Sequence, residues 1–345
     1  MSFFLANRKI GVNCPPLVIA EIGINHNGSL EVAIQMAKAA IDAGVEVIKH
    51  QTHLPEFEMT AEAKSVVPAN DKRSIYEIID ACSLDFEEES KLKDYIENEG
   101  AIFISTPFSF EAVDHLERMD VPGYKIGSGE CNNYPLVEYV ASKGKPIIMS
   151  TGMNNIEMIS RSVEIMRLAG VPFALLHCTS VYPTPHKLVR LGALQQLKVA
   201  FPDAVVGLSD HTLDNYSCLG AVALGADILE RHFTDDKDRT GPDIEVSMDP
   251  NDLIDLIKGS KAIAQARGGD KEVLSEEAAT IKFAYGSLVA REQIMKGQRF
   301  TRQNLTVRRP GSGDFGPNMF ERVLGRTASV DIQKSVQIKR THLSD

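Results

Sequence analysis

The feature that most constrains the fold is a strand–helix unit that recurs along most of the chain. Short apolar runs rich in β-branched residues alternate with stretches whose apolar residues repeat with a helical period. The apolar runs occupy residues 16–25, 45–51, 101–107, 123–129, 145–152, 173–179, 204–210 and 226–232. Eight such units predict an α/β protein built on a closed (β/α)8 TIM barrel. An open doubly wound sheet is the alternative, but no GxGxxG motif follows the first run.

The pattern changes near residue 283, where short strand-like runs and turns replace the strand–helix units. Two segments in this tail, IMKGQRFTRQNL (294–305) and IQKSVQIKRTHL (332–343), share four identities in twelve positions. We therefore predict a barrel domain over residues 1–280 and a small, mostly β domain over residues 281–345 with internal pseudo-twofold symmetry. A domain of this size buries little apolar surface by itself.

Composition excludes several classes of function. A net charge of −10 argues against nucleic-acid binding, which needs a basic surface. No apolar run reaches the roughly 18 residues that suggest a membrane span, and the first residues do not resemble a signal peptide. The five cysteines are scattered and odd in number, which is typical of reduced thiols. We therefore expect a cytoplasmic protein.

Polar side chains end all eight apolar runs, at the barrel face where TIM barrels carry their active sites. Lys49 and Lys125 are the cationic members of this set. Hydroxyl side chains accompany them at Thr106, Ser128, Ser150 and Ser209. Such a lining suits a phosphate together with a carboxylate. The alternative is that each lysine only pairs with a barrel glutamate.

Two imidazoles, His211 and His232, end the last two runs. Because neighbouring barrel strands lie about 4.8 Å apart, imidazoles at the same height can share one metal ion. Two histidines and water would leave coordination positions open for a substrate, as in catalytic sites. Mn²⁺ or Zn²⁺ would suit these ligands. The alternative is that one histidine only makes hydrogen bonds in the core.

A third chemistry is open at this stage. A lysine at a barrel strand end can form a Schiff base with a keto acid, as in class I aldolases. Two lysines beside two histidines favour phosphate and metal binding over an imine. Borohydride trapping with pyruvate would label Lys49 or Lys125 if the imine route were correct.

Several long motifs resemble the bacterial N-acetylneuraminate (sialic acid) synthase family. They are EIGINHNGS, IKHQTH, ISTPFS, YKIGSGECNNYPL, MSTGMN, HCTSVYPTP, GLSDHT, LERHFT and GPDIEVSMDP, and in the tail RRPGSGDF. The last motif is similar to the antifreeze-like (SAF) domain that ends these synthases. The resemblance extends over almost the whole chain.

The resemblance implies a metal-dependent condensation of phosphoenolpyruvate with N-acetylmannosamine and water, giving N-acetylneuraminate and phosphate. It implies Mn²⁺ held by His211 and His232, and the C3 carbon of phosphoenolpyruvate attacking the open-chain sugar aldehyde. Glu21, at the end of the first strand, is the candidate acid–base group. The lysines and the hydroxyl groups named above would hold the phosphate and the carboxylate.

By the family pattern, the sugar side of the site is lined by Gln51, Asn70, Glu130, Tyr182 and Asp243. Asn70 lies within the long segment 52–73, which resembles a functional loop. Ser180 stands where close relatives are expected to carry asparagine, so its contact with the substrates is in doubt. The family also implies a domain-swapped homodimer, in which Arg309 of the tail reaches the sugar in the partner's barrel.

Three functions remain open at the level of sequence. The first is N-acetylneuraminate synthase. The second is a sister synthase that uses a modified N-acetylated hexose and makes legionaminate or pseudaminate. The third is a binding module on an inactive barrel, which the set Glu21, Lys49, Lys125, His211 and His232 argues against. A 9-phosphate product is disfavoured, because no extra basic cluster is present for a sugar phosphate.

Overall fold

The computed structural model describes residues 1–67 and 73–344. The chain divides into two compact units, Met1–Gly268 and Gly269–Asp345. The division falls in an exposed segment that precedes the predicted domain boundary between residues 280 and 281. Asn70, predicted to bind sugar, lies outside the described residues.

Eight parallel strands of the first unit close into a barrel, which confirms the predicted (β/α)8 fold. Each pairs with its neighbour in chain order, and the last pairs with the first. The barrel strands are β3 (Leu17–Gly23), β4 (Val47–Thr52), β5 (Ile102–Pro107), β6 (Tyr124–Ile126), β7 (Ile147–Ser150), β8 (Phe173–Cys178), β9 (Val205–Asp210) and β10 (Ile228–His232). All eight predicted runs are therefore strands.

Helices follow every barrel strand and cover the outside of the barrel. They are α1 (Leu30–Asp42), α2 (Pro55–Glu58), α3 (Ile75–Cys82), α4 (Phe86–Asn98), α5 (Phe110–Arg118), α6 (Tyr134–Ala141), α7 (Ile156–Ala169), α8 (His186–Val189), α9 (Gly192–Ala200), α10 (Tyr216–Ala223) and α11 (Pro250–Ala266). The segment after β4 contains α2 and a short 3-10 helix, Ala61–Ser65. Among the described residues, no helix is long and apolar enough to cross a membrane.

In every barrel strand except β6, apolar residues alternate between two different cores. In β3, Leu17 and Ile19 pack inside the barrel, whereas Val18 and Ala20 pack against the helices. This alternation follows from the two-residue repeat of a strand. The inner core fills the half of the barrel at the start of the strands, so the inward-facing positions near the strand ends are free for polar groups.

An N-terminal hairpin, which the sequence analysis did not predict, packs on the inner core. It consists of β1 (Ser2–Leu5) and β2 (Arg8–Gly11), paired antiparallel. Its buried side chains Phe3, Leu5 and Ile10 join the apolar cluster inside the barrel. The hairpin therefore closes the end of the barrel opposite the polar strand ends.

The second unit contains two small antiparallel sheets, as predicted for a mostly β tail. β11 (Ser287–Ala290) pairs with β12 (Leu305–Arg308), and β13 (Thr327–Ala328) pairs with β14 (Leu343–Ser344); the helices are α12 (Ala278–Ala284) and α13 (Phe320–Val323). Ile294 and Ile332, equivalent positions of the sequence repeat, exchange backbone hydrogen bonds of 2.9 and 2.8 Å. Such reciprocal pairing is what an internal twofold axis would give, and the internal symmetry stays a prediction.

Candidate active site

A cavity of about 440 Å³ opens among the C-terminal ends of the barrel strands. We call it the central pocket. Twelve of the residues predicted from the sequence line it: Lys49, Gln51, Thr106, Lys125, Ser128, Ser150, Ser180, Tyr182, Ser209, His211, His232 and Asp243. The fold thus brings most of the predicted site residues to one place.

Six further residues of the lining were not predicted as site residues. They are Phe108, Gly127, Gly129, Met153, Cys178 and Glu230. Cys178 ends β8, and Glu230 lies in β10. Both Cys178 and Glu230 are separated by an even number of positions from an inward-facing residue of the same strand. Glu230, for example, lies two positions before His232. The two-residue repeat of the strand would have identified both.

The two lysines form ion pairs and hydrogen bonds at the base of the central pocket. Lys49 Nζ contacts the Glu21 carboxylate and donates to Thr106 Oγ1 at 3.2 Å. Lys125 Nζ donates to Ser150 Oγ at 2.7 Å. Both ammonium groups lie within 4 Å of Glu230 Oε1, at 3.9 and 3.6 Å. The lysines therefore do pair with barrel glutamates, while they still face the cavity.

Burial and neighbouring charge set the protonation of these groups. Burial, with some help from the charge of Lys125, lowers the pKa of Lys49 to about 7. Burial alone would raise the pKa of Glu230, but the ammonium groups of Lys125 and Lys49 outweigh it and hold that pKa below the ordinary value. Glu230 is therefore a carboxylate at neutral pH, and Lys49 can exchange a proton near neutrality.

The segment after β7 approaches the hydroxyl groups closely because residue 152 is glycine. Gly152 donates its backbone N–H to Ser128 Oγ at 3.0 Å. A Cβ at this position would lie 2.5 Å from Ser180 Oγ and 2.8 Å from Ser128 Oγ. Any larger residue would therefore displace these two hydroxyl groups from the central pocket.

The imidazoles of His211 and His232 lie side by side, with ring centroids 5.4 Å apart. His211 Nδ1 lies 3.1 Å from the carbonyl oxygen of Thr179, to which it can donate, so its Nε2 keeps a lone pair. His232 Nδ1 is buried and lacks a hydrogen-bond partner within the described residues. Burial lowers the pKa of His211 to about 4 and that of His232 to about 3, so both rings are neutral at neutral pH.

Asp243 and Tyr182 stand next to the two imidazoles. Asp243 Oδ2 lies 3.6 Å from His232 Nδ1, and burial raises the pKa of this carboxyl group. The Tyr182 ring lies 4.0 Å from the His211 ring, between centroids. Within the described residues, no group of three or more His, Cys, Asp and Glu side chains is arranged to hold a metal ion. Any ion here would rest chiefly on the two imidazoles.

A chain of hydrogen bonds leads from Glu21 towards the segment after β4. Gln51 Nε2 donates to Glu21 Oε1 at 2.8 Å. Gln51 Oε1 lies 3.0 Å from His53 Nε2, and His53 Nδ1 lies 3.0 Å from Glu58 Oε1. The His53 ring also stacks on Phe108, with centroids 4.2 Å apart. Glu21 is thus held from one side by Lys49 and from the other by Gln51.

Two other predicted residues lie away from the central pocket. Glu130 lines a neighbouring cavity of about 410 Å³ and accepts a hydrogen bond from Asn133 Nδ2 at 2.9 Å. Phe108 lines both cavities. Arg309 is exposed and directly follows β12 in the second unit.

A buried polar cluster lies behind β4, on the side that faces the helices. His50 Nδ1 lies 2.8 Å from Glu89 Oε1, and Thr52 Oγ1 donates to the same oxygen at 2.6 Å. His115 Nε2 lies 3.2 Å from Glu89 Oε2, and His26 Nε2 lies 3.1 Å from His50 Nε2. Although burial opposes its ionisation, the neighbouring His50 lowers the pKa of Glu89 strongly. We call these five residues the Glu89 cluster.

Comparison with known protein families identifies both units. A profile described as the NeuB family matches residues 36–272, and the SAF domain matches residues 285–343. The first match extends over more than half of the chain, and the second coincides with the two small sheets.

Relatives with assigned reactions match over nearly their full length. An N,N'-diacetyllegionaminic acid synthase of Campylobacter jejuni is 36% identical, with 94% of this chain and 98% of that protein aligned. A pseudaminic acid synthase of the same species is 34% identical, with 94% and 95% aligned. A crystal structure of an N-acetylneuraminic acid (sialic acid) synthetase from Leptospira borgpetersenii, in complex with citrate, superposes with a TM-score of 0.75 at 33% identity, covering 81% of this chain and 95% of that one.

Proposed function

Because the chain belongs to the NeuB family of sialic-acid-type synthases, we propose that it condenses phosphoenolpyruvate with N-acetylmannosamine and water, giving N-acetylneuraminate and inorganic phosphate. The observation that carries this proposal is the central pocket, where two lysines, six hydroxyl residues and two neutral imidazoles converge.

Phosphoenolpyruvate would bind at the base of the central pocket. The ammonium groups of Lys49 and Lys125 are buried there, so a phosphate or a carboxylate gains more from them than it would in water. The neighbouring hydroxyl groups of Thr106, Ser128, Ser150 and Ser209 can donate hydrogen bonds to the same oxygens. Because its pKa is lowered, Lys49 can be either charged or neutral near neutral pH. An anion that binds beside it favours the charged form.

The charges of the lining fit a divalent cation. The ammonium groups of Lys49 and Lys125 are matched by the carboxylates of Glu21 and Glu230, and Asp243 adds a further carboxyl group. A multiply charged anion therefore needs additional positive charge. The orphaned Nδ1 of His232 and the free Nε2 of His211 offer nitrogen ligands for it, and Mn²⁺ stays the predicted ion. When bound, such an ion would polarise the carbonyl oxygen of the sugar aldehyde as a Lewis acid.

The bond changes account for all atoms of this reaction. The C3 carbon of phosphoenolpyruvate forms a bond to the aldehyde carbon, and the aldehyde oxygen takes up a proton. Water adds at C2 and releases a proton, which leaves a hydroxyl group on C2. As the C2–O bond to the phosphate breaks, this hydroxyl becomes the C2 ketone and its proton leaves with the phosphate as HPO4²⁻. Glu21 lies beside Lys49 at the end of β3 and can carry the proton between water and the new hydroxyl group.

A second candidate substrate is a 2,4-diacetamido-trideoxy hexose, which would give a legionaminate. The identity of 36% to the Campylobacter jejuni legionaminic acid synthase favours it. Phe108 and Met153 also add apolar surface to the lining of the central pocket, which suits a sugar with fewer hydroxyl groups.

The substrate assay follows phosphate release from phosphoenolpyruvate with three acceptors: N-acetylmannosamine, 2,4-diacetamido-2,4,6-trideoxymannose and the pseudaminate precursor. We expect release with one acceptor at least tenfold above the others, and a keto acid product that contains both carbon chains by mass spectrometry. Pyruvate formation without coupling, or no release with any acceptor, would contradict the proposed function.

The tail would complete the site of a partner subunit. We propose that Arg309 contacts the N-acyl group of the sugar in the other barrel of a domain-swapped homodimer, as the family resemblance implies. Arg309 is exposed, and its guanidinium group can donate a hydrogen bond to the acyl oxygen.

Shared active sites predict that two inactive variants can complement each other. Glu21→Gln and Arg309→Ala should each lose most activity, whereas a mixture that has exchanged subunits should recover about a quarter of the wild-type rate, because half of the dimers are mixed and one of their two sites is intact. Mixing two copies of Glu21→Gln is the control. If the subunits have demonstrably exchanged and the mixture is still no more active than the two separate variants, the shared site is refuted.

A further inference from the structure

Hydrogen bonds connect the segment that follows β4 to the carboxylate of Glu21. The connection from Glu58 runs through the side chains of His53 and Gln51. Gln51 lies between Glu21 and His53, and His53 lies between Gln51 and Glu58. The side chains of His53 and Glu58 are 6% and 5% exposed, so water competes little for these hydrogen bonds.

The orientation of the Gln51 amide fixes the first two links. The Glu21 carboxylate only accepts hydrogen bonds, so the nitrogen of the amide must face it, as observed at 2.8 Å. The amide oxygen then faces His53 Nε2 at 3.0 Å. An oxygen only accepts, so His53 must carry a proton on Nε2.

The other nitrogen of the ring faces a second carboxylate. His53 Nδ1 lies 3.0 and 3.1 Å from the two oxygens of Glu58. With Glu58 ionised, both of its oxygens only accept hydrogen bonds, so Nδ1 must carry a proton as well. In that arrangement His53 is doubly protonated and forms a buried ion pair with Glu58. Its cationic ring stacks on Phe108, which favours this charge state.

We propose that His53 and Glu58 are positioning residues that lock the Gln51 amide in the orientation needed by Glu21. This inference rests on the acid–base role proposed for Glu21. If His53 loses its donor at Nε2, the amide can rotate and turn its oxygen towards the Glu21 carboxylate. The repulsion would move Glu21 away from Lys49 or keep it protonated, and either change would impair proton transfer without removing any group that binds phosphoenolpyruvate.

The kinetic experiment compares three variants of the full-length protein. His53→Ala should lower kcat about 10- to 100-fold, since a positioned acid–base group contributes roughly 10²–10⁴-fold, with the KM for phosphoenolpyruvate changed less than about threefold. His53→Gln should restore most of kcat, because its side-chain amide can still donate towards Gln51. Glu56→Ala, at an exposed position of the same short helix, is the matched control. Equal losses in the alanine and glutamine variants, or an unchanged kcat in both, would overturn the proposal.

A spectroscopic measurement tests the proton arrangement without any turnover. In protein labelled with ¹⁵N-histidine, His53 should show both ring nitrogens protonated at pH 7, and the His53→Gln spectrum assigns its signal. In Glu58→Gln the ring should become neutral with its proton on Nε2, since the new amide can donate to Nδ1. A neutral His53 in the wild-type protein would overturn the proposal, whereas a protein that lacks synthase activity but shows the doubly protonated ring would contradict only the proposed function.

Discussion

Replacing His232 with alanine should slow turnover by about 10³-fold or more and should prevent the protein from retaining a divalent cation. Polarisation of a carbonyl oxygen by a metal ion contributes several kcal/mol to transition-state stabilisation, and each 1.4 kcal/mol corresponds to about a factor of ten in rate. Among the described residues, His232 supplies one of the two imidazoles that line the central pocket. With one ligand left, the site loses most of its affinity for the ion. Metal content after desalting and kcat with saturating Mn²⁺ measure the two effects.

Removal of the ion from the wild-type protein is the companion experiment. Treatment with a chelator should abolish phosphate release, and addition of Mn²⁺ should restore it. His186→Ala is the control variant, because His186 is exposed and pairs with Asp214 away from the central pocket. Full turnover of a chelated protein with no measurable metal would rule out the role that we propose for His211 and His232.

Glu89→Ala should destabilise the barrel by about 3–5 kcal/mol at pH 7, the usual cost of removing one partner from a buried, hydrogen-bonded charge pair. The carboxylate of Glu89 is 1% exposed and meets His50, Thr52 and His115. Without it, three buried polar groups lose an acceptor. Urea denaturation followed by circular dichroism measures the change, and Glu87→Ala, exposed on the same helix, should change stability by less than about 0.5 kcal/mol.

Acid should reduce the difference in the free energy of unfolding between Glu89→Ala and the wild-type protein. The pKa of Glu89 is lowered by folding from its ordinary value of 4.5. The stabilisation is therefore fully present above pH 4.5 and is lost as the pH falls towards the folded-state pKa. Unfolding curves at pH 7 and pH 4 would show this convergence. A constant difference at both pH values would mean that Glu89 acts through packing and not through its charge.

The barrel and most of the residues that line the central pocket were predictable because both depend on local sequence periods. Eight apolar runs mark the strands, and residues two apart on one strand face the same side, as Lys49 and Gln51 do. The same rule would have added Glu230 and Cys178. It could not have placed the N-terminal hairpin Ser2–Gly11, because its contacts with the inner core are distant in sequence and no local pattern specifies them.

Residues on loops were harder to predict, because no period fixes where a loop side chain lies. Glu130 follows β6 and lines the neighbouring cavity together with Glu58. His53 and Glu58 carry no motif of their own, although IKHQTH contains the first of them. Only the distances from His53 to Gln51 and Glu58 reveal their connection with Glu21.

The alternation of β4 has a consequence for how such synthases can diversify. Lys49 and Gln51 form a first row, which faces the central pocket inside the barrel. His50 and Thr52 form a second row, which faces the helices and contacts Glu89 through hydrogen bonds. Point substitutions in the first row can alter which molecule is accepted while the second keeps the strand in place. Insertion or deletion of a single residue before Lys49 would exchange the two rows, so we expect this stretch to vary among homologues by replacement and never by a change in length.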